Sequence, residues 1–223
     1  MQNYPAHATS TAVRGSALAT NKVLRNTYML LGATLLFSAA MAGVSMALNL
    51  PSFGLFTILI YFGLLFAVTK TQNSSWGILW TFALTGFLGL TLGPILNMYI
   101  NALPHGGQII MTALGTTAVA FLGLSAFAIT SKRDFSFMGG FLMIGAIGAF
   151  VLGLVAFFFN LPTLSLVVSG LFLIVSGGLM LYQTSAIVRG GETNYISATI
   201  TLYVSIYNMF LSLLHLLGAS SDD

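Results

Sequence analysis

The sequence predicts an all-α integral membrane protein with seven transmembrane helices, three hairpins packed around a central seventh helix. Three observations carry this. Seven apolar stretches, at 27–50, 52–69, 76–100, 108–130, 136–160, 163–188 and 195–217, are joined by short loops in a chain 57% hydrophobic and 5% charged. Each can cross a hydrocarbon core about 30 Å thick, which takes about 20 helical residues. All seven Lys and Arg residues then fall on one side. Arg14, Lys22 and Arg25 precede the first span, Lys70 lies between the second and third, Lys132 and Arg133 between the fourth and fifth, and Arg189 between the sixth and seventh. Basic residues resist translocation, so this side is read as cytoplasmic, with the N-terminus inside and the C-terminus outside. An even number of spans would scatter them over both sides. The third observation is a polar stripe along the seventh stretch.

Taken in order, residues 1–26 are polar and rich in Ser, Thr and Ala, and are expected to form a flexible cytoplasmic tail. The first apolar stretch, 27–50, exceeds the about 7–15 residues of a signal peptide's apolar region, so it is expected to be retained. Spans 1–2, 3–4 and 5–6 are joined by Asn49-Leu50-Pro51, Asn101-Ala102-Leu103-Pro104 and Asn160-Leu161-Pro162. Asn tolerates the left-handed conformation that ends a helix, and a following Pro stops its continuation. Three tight hairpins follow, either as ordinary membrane turns or as an ancestral repeat. Close helix contacts are expected at Ala39, Gly43 and Ala47 in span 1, at Gly86, Gly89 and Gly93 in span 3, and at Gly145, Gly148 and Gly153 in span 5, because small residues let backbones approach. Pro94 is expected to kink span 3.

Span 7 carries Asn194, Ser197, Thr201, Ser205, Asn208 and Ser212, spaced by three or four and so on one helix face. Tyr195, Tyr203 and Tyr207 add polar atoms. A stripe of this length facing lipid would leave polar groups unsatisfied, which places span 7 inside the bundle. It serves either interhelical hydrogen bonding, worth about 0.6 kcal/mol per bond on average, or the lining of a polar path or ligand site. The bundle is thus expected over 27–217, with 218–223 as a short extracytoplasmic tail.

Candidate reactive groups are few. The net charge of +3 reflects topology rather than affinity for nucleic acid. The chain has no cysteine, and so no disulfide, thiolate metal site or Cys nucleophile. No acid or base other than His215 falls inside a span. His215, one turn after Ser212, is read as an interfacial hydrogen-bonding residue, with a ligand or proton-relay role as the alternative. His105 and His7 lie elsewhere, so no His pair has metal-ligand spacing. Asp134 is expected to neutralise Lys132 and Arg133. In the loop Arg189-Gly190-Gly191-Glu192, the acid suits the start of a helix, where the dipole favours negative charge. With no hydrolase, metalloprotease or phosphate-loop motif, no catalytic residue, metal or cofactor is expected.

Four segments together resemble the Bax inhibitor-1 family of seven-helix membrane proteins. They are Lys22–Tyr28 (KVLRNTY), Thr85–Asn97 (TGFLGLTLGPILN), Gly190–Tyr195 (GGETNY) and Leu202–Leu214 (LYVSIYNMFLSLL). The likeness runs from about residue 20 to the end of span 7 and is nearest the family's bacterial branch. The resemblance implies three hairpins around a seventh helix, and it implies an inner-membrane protein that modulates the membrane-anchored, ATP-dependent protease FtsH. This function needs no reactive residue. The lipid-facing surface and the tail 1–26 are the expected protease contacts. The alternative the family implies is a Ca²⁺ leak gated by two Asp residues in helices 6 and 7. Those positions correspond to Gln183 and Ser205 here, which supply oxygen atoms but neither charge nor pH response. Weak cation binding is the most this pair implies.

Overall fold

The computed structural model describes residues 7–131 and 133–221, with side chains from Thr20 onward. Seven helices follow in order: α1 His7–Ala47, α2 Phe56–Thr71, α3 Trp76–Ala102, α4 Gly106–Thr130, α5 Met138–Phe158, α6 Pro162–Val188 and α7 Tyr195–Ala219. The all-α, seven-helix reading holds. Large apolar side chains such as Leu36, Phe137 and Ile144 cover the outside, while hydroxyls such as Thr34, Thr81, Thr85 and Ser205 are buried inside. This pattern suits a solvent of lipid tails. Arg189 meets Asp134, and the Gln72–Asn73 turn meets Asn194, at one end of the bundle. Lys22, Arg25, Lys70 and Arg133 lie at that same end, and the Asn–Pro loops lie at the other.

Six helices are long and apolar enough to cross a membrane; α2, at 16 residues, is shorter, about 24 Å at 1.5 Å per residue. The expected span at 52–69 loses its first turn because Pro51 precedes it and Gly54 takes φ 54°, outside helical space. At the other extreme α1 extends back to His7. Residues 7–26, read as flexible from composition, are helical backbone. Their Ala, Leu and Lys content is compatible with helix and no proline interrupts it after Pro5. Residues 1–6, Lys132, Asp222 and Asp223 lie outside the described residues.

Of the three expected hairpins, 3–4 and 5–6 pack as pairs, whereas the first is not closed on itself. α1 and α2 pack on α3 rather than on each other, α5 packs on α6, and α7 is flanked by α1, α3, α4 and α6. α2 and α5 stand outside this group. The α1–α3 seam explains the arrangement. α3 presents Gly86, Gly89 and Gly93 to Phe37, Ser38 and Ser45 of α1, and any Cβ on these glycines would collide with those atoms. The matching face of α1 is Thr27, Leu31, Thr34, Ser38, Ala42 and Ser45, all buried and spaced by three or four. The expected face Ala39, Gly43 and Ala47 is instead exposed. Small size marked the wrong stripe because α1 contributes serines and threonines, and α3 supplies the close approach.

Pro94 sits inside α3 and cannot donate to the carbonyl of Leu90. The Ser45 hydroxyl of α1 donates to that carbonyl at 2.7 Å instead. Asn97 of α3 donates to the Met46 carbonyl and to Asn49 Oδ1, both at 3.2 Å. Asn49 and Asn160 take φ 48° and 49°, the expected left-handed caps. Asn101 differs: it stays inside α3, which ends only at the extended Leu103 before Pro104.

Candidate functional site

The face of α7 that the sequence marks as one stripe divides into three parts with different chemistry. At the basic end, Gly190 takes φ 75° and the N–H groups of Gly191 and Glu192 bond the Ala186 carbonyl, closing α6. The chain can then present two caps to α7. Asn194 Oδ1 accepts from the N–H groups of Ile196 and Ser197, at 2.9 and 3.1 Å. Its amide donates to the Gln72 carbonyl and to Asn73 Oδ1, at 3.0 and 2.8 Å. Every hydrogen-bonding atom of this amide is occupied, and it ties the α2–α3 turn to α7. Glu192 accepts from the Asn194 N–H (2.8 Å), the Ser197 hydroxyl (3.1 Å) and Gln183 Nε2 (3.4 Å). It lies before the helix rather than in its first turn, and still places its charge at the dipole's positive end.

Asn194→Ala is expected to cost about 1–2 kcal/mol for the cap. Hydrogen exchange should show faster opening at Ile196 and Ser197, whereas unchanged protection there would refute the cap's contribution.

Asp134 pairs with Arg189 at 3.9 Å, across loops; of the two basic neighbours it was expected to neutralise, Lys132 lies outside the described residues. Hydrogen bonds from the Ser136 side chain and backbone hold its carboxyl below the usual value, with Arg189 adding attraction. The folded carboxyl therefore titrates below the unfolded one. Its contribution is present at neutral pH and is lost as pH falls below about 4, through the folded value. Ser136→Ala should raise the Asp134 midpoint in a chemical-shift titration; a midpoint that stays put would deny the hydrogen bonds their role.

The middle of the stripe is closed on itself. Ser205 donates to the Thr201 carbonyl (2.8 Å) and Thr201 to the Ser197 carbonyl (3.1 Å), both within α7. Ser205 is 1% exposed and Gln183 5%. Beside them, hydroxyls of neighbouring helices form a network the sequence did not reveal. The Tyr203 hydroxyl donates to the Thr85 carbonyl at 3.2 Å, so Ser38 at 2.5 Å donates to Tyr203. Thr91 donates to the Leu88 carbonyl, so Tyr207 donates to Thr91 at 2.8 Å. The Tyr203 and Tyr207 rings stack with centroids 6.3 Å apart. Tyr203 and Tyr207 were this network's sign in the sequence, and the α1 serine that bonds Tyr203 is legible only once α1 is known to face α3 and α7.

The last third is open. Asn208 and Ser212 make no hydrogen bond to described residues, although Ser212 is 5% exposed. Both line a cavity of about 350 Å³ together with Ser169 and His215, whose Nδ1 lies 2.8 Å from the Ser169 hydroxyl. Asn208 also lines a second cavity of about 530 Å³ between α2 and α5. Among the described residues no group of three or more His, Asp or Glu converges as a metal site.

The sequence matches the Bax1-I family, described as inhibitor of apoptosis-promoting Bax1, over residues 20–222. It is 51% identical over 212 residues to the Modulator of FtsH protease YccA of Escherichia coli (strain K12), covering 94% of this chain and 95% of that protein. Identity and coverage are the same for the Inner membrane protein YccA of Escherichia coli O6:H1. A membrane protein of Vibrio cholerae is 48% identical over 217 residues, 96% of this chain and 97% of that one.

Proposed function

The chain belongs to the Bax inhibitor-1 family, and from that premise we propose that it is a non-enzymatic inner-membrane protein that binds and modulates an FtsH-type membrane protease. The carrying observation is 51% identity, along 94% of the chain, to a protein named for modulating that protease. The fold supports the reading on physical grounds. A protease that extracts its membrane substrates must undo their packing. Here the glycine seam and the Asn194 knot join helices distant in sequence, so a pull on either end meets contacts across the whole bundle. Such a protein can occupy the protease and slow its work on other membrane proteins.

In this reading the basic end faces the cytoplasm. The N-terminal segment 1–26 reaches the protease's cytoplasmic ring, and the apolar flank meets its membrane helices. The test is degradation of a membrane substrate by an FtsH-type protease in vesicles, with and without this chain. A several-fold slowing is expected, lost on removal of residues 1–20 while the bundle stays folded. Unchanged degradation would remove the function; unchanged slowing after truncation would remove the segment's part in it.

The family's Ca²⁺ leak finds no ionisable pair at Gln183 and Ser205, and Gln183 is engaged with Glu192. Ca²⁺ entry into proteoliposomes is therefore expected to be equal at mildly acidic and mildly alkaline pH. A rise on alkalinisation would reinstate gating through other residues.

A further inference from the structure

Two cavities meet on α7. The larger, about 530 Å³, lies between α2 and α5, the two helices outside the central group, which touch there through the edge-to-face rings of Phe62 and Phe150. Its rim includes Phe62 and Ile147, 47% and 60% exposed, so its mouth opens on the flank of the bundle, where lipid lies. Its inner wall reaches Tyr207 and Asn208 of α7. The smaller, about 350 Å³, extends toward the Lys- and Arg-free end and is lined by Asn208, Ser212, Ser169 and His215. Ile95, Phe172, Asn208 and Leu211 line both. Each volume falls in the range of small-molecule sites, about 300–1,000 Å³.

Two polar groups here lack partners among the described residues. The Asn208 carboxamide and the hydroxyl of the nine-tenths-buried Ser212 make no hydrogen bond to described residues. At membrane depth water is scarce, and such groups must be satisfied by something. The charge pattern narrows the partner: among the described residues no Asp, Glu, Lys or Arg lines either cavity. Among those residues a phosphate head would meet no lysine or arginine and an amine no carboxylate. The walls of the larger cavity are mostly apolar, with Phe53, Ile58, Phe150 and Leu179 among them.

We propose that the joined cavities bind a single-chain lipid with a small, uncharged, hydrogen-bonding head, of the monoacylglycerol class. The tail lies between α2 and α5, and the head is held by Asn208 and Ser212, with Ser169 and His215 beside it. The tail then runs from the loop end, at Phe53, toward the middle of the bundle, at Leu179, parallel to the chains of the surrounding leaflet. The site is independent of the protease reading, since it uses neither the basic end nor a protein partner.

The test uses the full chain in nanodiscs with a monoacylglycerol carrying a diazirine in its acyl chain. Photolabelling is expected to saturate, to map to α2 and α5 around Phe62 and Phe150, and to be displaced by unlabelled monoacylglycerol. Ala146→Phe, which fills the larger cavity from α5, should cut labelling about ten-fold. Ile147→Trp at the mouth serves the same end should Ala146→Phe fail to fold. Val119→Phe, on the exposed face of α4, should leave labelling unchanged. Asn208→Leu should weaken displacement by the unlabelled lipid about ten-fold. Non-saturating label spread evenly over exposed helix faces would overturn the site. Equal displacement by a lysophosphatidylglycerol of the same chain length would overturn the uncharged head.

Discussion

Gly89→Leu should detach α1 from α3. A Cβ at this position would collide with the Ser38 carbonyl oxygen and lie 2.9 Å from the Ser38 hydroxyl and 3.0 Å from the carbonyl carbon. The obstacle is chiefly backbone, which has no rotamer by which to yield. Overpacking of this kind costs about 1–3 kcal/mol, and the rest of the leucine places the effect at the upper end. The change also displaces Ser38, and with it the hydrogen bond to Tyr203 at the centre of the bundle. The readout is the unfolding midpoint of the purified protein in detergent. Gly43→Leu is the companion variant, because open space surrounds Gly43; its effect should stay within about 0.5 kcal/mol, as for other surface changes. Equal destabilisation by the two would mean that α1 uses its small-residue face after all.

The second expected effect is a coupling. Ser45→Ala leaves the Leu90 carbonyl without its donor, because Pro94 has no N–H to offer it. An unsatisfied buried carbonyl costs about 1–3 kcal/mol. Pro94→Ala restores the intrahelical donor, so in that background Ser45→Ala should cost far less. A double-mutant cycle should return a coupling of about 1–2 kcal/mol, larger than the about 0.6 kcal/mol average for interhelical hydrogen bonds in membranes. Additive effects would show that Ser45 serves only to fill space against Gly93.

The parts of the site that were legible in the sequence are those whose chemistry is local. Asn49 and Asn160, each followed by a proline, predict left-handed helix ends and take them, whereas Asn194, read as part of the stripe, proves to be the cap of α7. The face of α7 was legible as polar because residues three or four apart share a side of any helix. What that face does was not legible. Ser205 and Asn208 look alike in the sequence, yet one bonds its own helix and the other, at a cavity wall, makes no hydrogen bond to described residues. Gln183 likewise reads as a lone polar residue until Glu192 is placed 3.4 Å away.

The sequence by itself determined that the chain is helical and apolar, that its basic residues gather at one end, and that Asn49 and Asn160 end α1 and α5. These follow from hydropathy, charge and backbone preference, each a property of a short stretch. Only the tertiary structure decided that α3 comes between α1 and α2, that serines rather than alanines form the buried face of α1, and that α2 and α5 leave cavities against α7. Lipid offers no hydrophobic gradient to sort one apolar helix face from another. The choice of neighbours therefore rests on close backbone approach and on the pairing of buried polar groups, which exist only between helices.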